Sequence, residues 1–444
     1  MSHRFWLTAF CLVVFTASPI YADDAKPNWQ AGFAKVVITP DEFQWMNGYG
    51  GRTEPADGKI HDLYARAAAF RDANETTIVM VALDVVSVAP EMTNGISAAI
   101  EESHKIPRAN IMFACSHTHC GPALDDRLSH MLKMDEAAWE QVRKYQKILN
   151  GKVTKVIETA IENLEPAVIK YGTGQCGFAT NRRPPLGEGP VDHTVPVVAA
   201  YATESDSKTP LGIIFGYACH NTTLGIQQWC GDYAGFAAID LEEHHPGSVA
   251  LFFTGCGADS NPLPRRQIEL AQMYGRMLSL GVEAVLPSLT ELKSPVKASW
   301  ATIDLPFDSV PTEEELQAVA ESGNHYEKQR ANYLLNEAKE LGKIRDDYPY
   351  PIQVWRFGDE LTWVSLGGEV VVDYAIRLKE TLPGKTVWVT GYANDVMAYI
   401  PSERVLQEGG YEGGRSMTYY QQPSKWKAGL EDRIVNKAAE LAGK

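Results

Sequence analysis

The 444-residue sequence has no low-complexity tracts, internal repeats or Gly/Ser- or Pro-rich linkers, so nothing in it marks a boundary between separately folding units. It has no CxxC pair, which argues against a cysteine-based zinc knuckle. His-Glu-x-x-His is also missing, which argues against a helical metalloprotease. Lys and Arg do not cluster, and 41 basic against 56 acidic residues leave a net charge of −15. Nucleic acid is therefore not an expected partner, because neutralising phosphates takes clustered basic groups. Beyond the N-terminus no apolar run is long enough to cross a bilayer.

What is present is an ordinary globular composition, 45% hydrophobic and 22% charged, with room for a sizeable core. The first 22 residues read as a secretory signal. His3 and Arg4 precede an apolar segment, Phe5–Ala17, and Ala22 closes a cleavage site before Asp23 and Asp24. A secreted or periplasmic protein is expected, with one catalytic domain over residues 28–444. Six cysteines follow the signal: Cys115, Cys120, Cys176, Cys219, Cys230 and Cys256. An even number permits disulfides in an exported chain, and buried free thiols account for them equally well.

Hydrophobic patterning alternates between strand and helix. Thr77–Leu83 and Asn110–Cys115 are continuous apolar runs, as in strands buried on both faces, and helical spacing at Thr93–His104 separates them. Glu136–Leu164 is a second helical stretch, followed by a short strand at Ala167–Tyr171. Leu211–Ala218, Ser248–Phe253, Leu361–Leu366 and Thr386–Val389 are further strands, and Gln267–Leu286 is a helix. A capping box at Thr312 and Glu315 opens a helical stretch to about Lys343. Leu430, Ile434, Ala438 and Leu441 form the stripe of a last helix. The pattern predicts an α/β fold of mixed, layered sheets flanked by helices.

Metal-capable residues follow the strand ends. Asn110–Cys115 runs into Ser116-His117-Thr118-His119, and Leu211–Ala218 into Cys219-His220-Asn221. Ser248–Phe253 runs into a glycine-rich stretch ending in Asp259-Ser260, and Leu361–Leu366 into Gly367-Gly368-Glu369. Thr386–Val389 leads through Gly391 towards Tyr399. In α/β sheets that edge is where ligands bind. Imidazole nitrogen and carboxylate oxygen suit zinc, whose catalytic sites keep one position open. His117 and His119 are two apart, which in extended chain points both the same way.

At these residues the chain resembles the neutral/alkaline ceramidase family, in its N-terminal catalytic domain, from Gly32 to about Tyr420. Ala31–Pro40 is similar to the family's opening strand, Gly48-Tyr49-Gly50 and Ile60–Arg66 to its next landmarks, and Ser116–Pro122 to its His-Thr-His-Ser-Gly-Pro segment. Asn181-Arg182, Cys219–Thr223, Gly231-Asp232 and Gly368-Glu369 fall at later family motifs. The resemblance implies zinc held by two histidines, a glutamate and a tyrosine, carried onto His117, His220, Glu369 and Tyr399. Tyr411, in a Tyr-Glu-Gly segment twelve residues beyond Tyr399, then corresponds to the family's second active-site tyrosine. Two departures stand out. Ser260 keeps its distance from Gly257, but the Asp and Pro of the family's serine motif are displaced by one place. The sequence also ends soon after the Tyr-Glu-Gly segment, so the C-terminal immunoglobulin-like domain of full-length members is not expected.

The implied activity is zinc-dependent hydrolysis of an amide, as in N-acylsphingosine to sphingosine and fatty acid. Zinc lowers the pKa of water towards ~7. His119 is then the candidate general base or acid, and Tyr411 and Arg182 donate to the developing oxyanion, with Ser260 as the alternative nucleophile. Asp232 and Asp259 could orient the ligand histidines, but as isolated residues in polar turns both are expected in structural roles. The expected partner is a small-molecule or lipid substrate, with transient membrane-surface contact and no obligate protein partner. Two other readings are a zinc amidase or esterase on another exported substrate, such as an N-acyl amino acid or a modified sugar, and a catalytically dead secreted binding protein. All four ligand positions together with Tyr411 argue against the second.

Overall fold

The residues of Thr77–Leu83 point alternately into two apolar environments, which is why the run has no polar side. Ile78, Met80 and Ala82 face one buried cluster, and Val79, Val81 and Leu83 another. A sheet covered on both faces accounts for this, and the computed structural model contains one. The structure describes Met1 and residues 28–203 and 208–444; apart from Met1, the segment read as a secretory signal lies outside the described residues.

The first sheet contains Trp29–Val37 (β1), Tyr64–Asp72 (β2), Thr77–Leu83 (β3), Ile111–Cys115 (β4), Glu165–Gln175 (β5), Thr194–Ala202 (β6), Gly212–Tyr217 (β7) and Val249–Thr254 (β8). Their order is β8-β7-β6-β5-β1-β2-β3-β4, and the short strand Thr290–Glu291 pairs with β5. The second sheet holds Val296–Pro306 (β9), Asp347–Phe357 (β10), Leu361–Leu366 (β11) and Thr386–Thr390 (β12), in that order. Three pairs are parallel: β3–β4, β7–β8 and β11–β12. Each is joined by a helix, Pro90–His104, Asp232–His244 and Val372–Thr381 respectively. A parallel pair puts two strand C-termini at one edge. The two sheets meet at that edge, where Ala114 bridges Ala393 and Gly255 bridges Thr390, and Thr254 Oγ1 of β8 donates to Cys115 O of β4 at 2.9 Å, joining the two ends of the first sheet.

Between the sheets lie Trp29, Phe70, Met80, Trp355, Trp363 and Trp388, with Trp363 and Trp388 stacked 3.9 Å apart. Helices cover the outer faces. Glu136–Glu162 is capped by Asp135, which accepts from Ala138 N–H at 2.9 Å. It lays Val142, Leu149, Val153 and Val156 over the first sheet. Gly32 permits that approach, since a Cβ there would sit 2.1 Å from Ala160 O. Leu430–Leu441 covers β9 and β10 of the second sheet. Mixed, layered sheets flanked by helices are therefore present as expected. Among the described residues no helix is long and apolar enough to cross a membrane, and Cys115, Cys120, Cys176, Cys219, Cys230 and Cys256 are all buried free thiols.

Two expectations change. The helical stretch from Thr312 to Lys343 is two helices, Glu313–Ser322 and His325–Leu341, because Gly323 ends the first and Asn324 caps the second in a box with Glu327. Strands β2, β6, β9 and β10 were not expected from the pattern. In β2, Ala65 and Ala67–Ala69 carry little strand preference. In β10, Pro349 and Pro351 argue against a central strand, but both precede Ile352, where pairing with β11 begins.

Candidate metal centre

His117 follows β4 with a φ of 58°, left-handed backbone that a non-glycine residue adopts only where its surroundings impose it. This turn, not the alternation of an extended chain, brings His117 and His119 together with their Nε2 atoms 3.1 Å apart. His220 follows β7, and one ring nitrogen from each of the three histidines lies within 4.8 Å of the others. Glu369, after β11, brings Oε2 to 3.3 Å from His117 Nε2 and 3.0 Å from His220 Nε2. A two-residue ladder pairs Glu369 with Tyr399, and Tyr399 Oη lies 3.2 Å from His220 Nε2. His117, His220, Glu369 and Tyr399 are all buried.

The backbone sets the protonation of two of these rings. His117 Nδ1 lies 2.6 Å from Val86 O, and His220 Nδ1 lies 3.0 Å from Gly257 O. A carbonyl only accepts, so each Nδ1 carries a proton and, in the neutral ring, each Nε2 presents a lone pair to the centre. Burial, with Arg182 adding to it, pulls the His220 imidazole down to about 4. Burial and the neighbouring histidines hold His119 well below its ordinary value. Burial works against the charge of Glu369, but its contacts with His117 and His220 keep the carboxyl well below the usual range. Two imidazole nitrogens and a carboxylate thus converge on one buried point, an arrangement that could hold a cation. The three histidines could hold a metal ion, and this nitrogen and oxygen donor set suits zinc.

A family model for the neutral/alkaline non-lysosomal ceramidase N-terminal domain matches residues 29–256, just over half the chain. The chain belongs to this ceramidase family. Two solved structures share its fold. The neutral ceramidase from Pseudomonas aeruginosa aligns at 19% identity with a TM-score of 0.74, over 95% of this chain and 75% of that one. A ceramidase complexed with C2 aligns at 17% identity with a TM-score of 0.75, over 94% and 75%. No curated protein matches the sequence. Membership of the ceramidase family supports a hydrolase.

Other predicted residues surround this ceramidase-family centre. Arg182 donates from Nη2 to Tyr399 Oη at 3.0 Å and from Nε to Glu412 at 2.8 Å. Tyr411 packs edge-on against Tyr399 with ring centroids 5.2 Å apart, and is 38% exposed. Gly48 has a φ of 96°, and a Cβ there would lie 2.4 Å from His119 Cγ, so the glycine leaves room for that ring. Ser260 is not brought into hydrogen-bonding contact with a base. Its hydroxyl is fully buried without a partner, and its carbonyl accepts from His220 N–H at 2.9 Å.

Asp232 and Asp259 take the structural roles expected of residues in polar turns, rather than orienting the histidines. Asp232 accepts from Leu224 N–H at 2.8 Å and Tyr233 N–H at 2.7 Å, holding the loop after His220. Asp259 accepts from Val372 N–H and Asn181 Nδ2, both at 3.0 Å, and ties chain segments together. Each carboxylate is consumed by backbone or amide donors and has no hydrogen bond to an imidazole.

Sequence reasoning also missed contacts. Tyr420 donates to Glu369 Oε1, and Tyr392 Oη lies 3.4 Å from Glu369 Oε2. Glu412 bridges Arg182 and Arg183, the latter at 2.7 Å. Only Glu412 had a signal, its place in the Tyr-Glu-Gly segment. Tyr420→Phe removes the hydrogen bond that steadies Glu369. It is expected to weaken metal binding about 10–100-fold, measured by competition with a zinc-binding dye, with little change in melting temperature.

Proposed function

We propose that the protein is a zinc-dependent hydrolase of an amide bond in an N-acylated lipid of the ceramide type, with the metal held by His117, His220, Glu369 and Tyr399. The observation that carries this reading is the convergence of two imidazole nitrogens on one buried carboxylate within 3.3 Å. Zinc, when bound, supplies Lewis-acid polarisation of a carbonyl and acidifies water. The chain's own groups do the rest. His119, neutral at neutral pH, accepts and returns a proton at Nε2 beside His117. Burial raises the Tyr411 phenol, which therefore keeps its proton and donates it in a hydrogen bond to the developing oxyanion. Arg182 orients Tyr399 and adds positive charge at the same point. The isolation of the Ser260 hydroxyl supports water over serine as nucleophile.

Export to the periplasm or outside the cell belongs to the same proposal, with transient contact at a membrane surface delivering the lipid. The test is ceramide hydrolysis by the purified protein with chelator and after zinc is restored. Chelation should abolish turnover and zinc should return it, and Ser260→Ala should keep most of the rate. Turnover indifferent to chelation would sink the metal mechanism, and a Ser260→Ala variant without activity would point to serine.

A further inference from the structure

A groove of about 630 Å³ opens beside the metal centre, and its charge is opposite to that of the chain as a whole. Four arginines, Arg182, Arg183, Arg265 and Arg415, line it together with two carboxylates, Glu408 and Glu412. The carboxylates are already engaged. Glu412 pairs with Arg182 at 2.8 Å and Arg183 at 2.7 Å, and Glu408 pairs with Arg183 at 3.0 Å. Among the described residues the side chains of Arg265 and Arg415 have no hydrogen bond or ion pair. Arg265 is partly buried, and burial followed by the like charges of Arg266 and Arg182 depresses its guanidinium. Arg415 is exposed at the groove's rim, so the surplus positive charge has a partly desolvated member in Arg265 and a solvent-facing one beside it. Arg265 and Arg415 stand far from each other and from the Arg182-Arg183 pair in sequence, and only the fold assembles them.

The groove adjoins the reacting groups. Tyr411 and Arg182 line it, and Arg182 is hydrogen-bonded to Tyr399 Oη, which lies 3.2 Å from His220 Nε2. An amide at the centre could therefore place a group only a few bonds away among the arginines. We propose that Arg265 and Arg415 bind an oxyanion on the substrate, so that the amide cleaved belongs to an N-acylated amine bearing a carboxylate or phosphate. This rests on the metal-hydrolase reading above and narrows its substrate class. A neutral lipid would cover the two guanidiniums without pairing them, whereas a carboxylate or phosphate matches their planar donor geometry.

The test compares kcat/KM for N-octanoylglycine with its neutral amide, N-octanoylglycinamide, and for a short-chain ceramide 1-phosphate with the ceramide itself. The wild type should favour the anion by about tenfold or more. The double variant Arg265→Gln/Arg415→Gln should bring that ratio towards one with an unchanged melting temperature. Preference confined to the glycine pair identifies a carboxylate, and preference confined to the ceramide pair a phosphate. Equal or better cleavage of both neutral partners by the wild type overturns the proposal, as does an unchanged ratio in the double variant. Should zinc-loaded wild type cleave no amide, the hydrolase reading fails on its own. Calorimetric titration with N-octanoylglycine and with the ceramide 1-phosphate then decides the groove. Binding lost in the double variant supports it, and no binding of either to the wild type overturns it.

Discussion

His220→Ala is expected to lose its bound metal and at least about a thousandfold in kcat/KM, equivalent to ~4 kcal/mol of transition-state stabilisation. The single nitrogen Nε2 of His220 stands 3.0 Å from Glu369 Oε2 and 3.2 Å from Tyr399 Oη, so its removal opens the centre on two sides. The main chain should survive, because His220 N–H still donates to Ser260 O at 2.9 Å. Elemental analysis should find about one metal per wild-type chain and almost none in the variant, consistent with a single catalytic site. Melting curves in chelator separate loss of metal from loss of fold. Full turnover by the variant would remove His220 from the site.

Glu412→Ala is expected to destabilise the protein by about 3 kcal/mol, the low end of the cost of breaking a buried pair. The carboxylate is 6% exposed and holds both Arg182 and Arg183. The low end applies because Arg182 remains 18% exposed and water partly compensates it. Burial opposes the charge of Glu412, yet the two guanidiniums outweigh it and keep the carboxyl below its ordinary value. A depressed carboxylate contributes stability above its unfolded pKa and loses it as pH falls through the folded value. The wild-type denaturation midpoint should therefore approach that of the variant in acid. Activity should fall as well, since Arg182 loses its ion pair with Glu412 and is held beside Tyr399 only by Asn261 at 3.4 Å. Urea denaturation at neutral and acidic pH checks both signs, and identical midpoints at neutral pH would show that the arginines find other partners.

The strands that build the centre were legible because burial on both faces makes β3, β4, β7 and β11 largely apolar runs, and polar, metal-capable residues follow β4, β7 and β11. The strands that widen the sheets were not. Arg66 is buried against Asp84 at 3.0 Å within β2, and β9 is mostly half-buried with no clean alternation of buried and open positions. Proximity of His117 and His119 was read for the wrong reason, since the left-handed turn at His117 has no periodic signature. Tyr420 and Tyr392 reach Glu369 through tertiary packing of loops remote in sequence, and spacing carries no trace of that. The groove arginines are likewise scattered between residues 182 and 415. The structural roles of Asp232 and Asp259 were legible from their polar turns, and nearby amide groups do take up their oxygens.

Anomalous diffraction at the zinc absorption edge, from crystals of the protein prepared with zinc, tests the metal centre most directly. One peak is expected, bonded to His117 Nε2, His220 Nε2 and Glu369 Oε2 with Tyr399 Oη beside it. No peak there, or a peak held by other side chains, would contradict the zinc hydrolase reading.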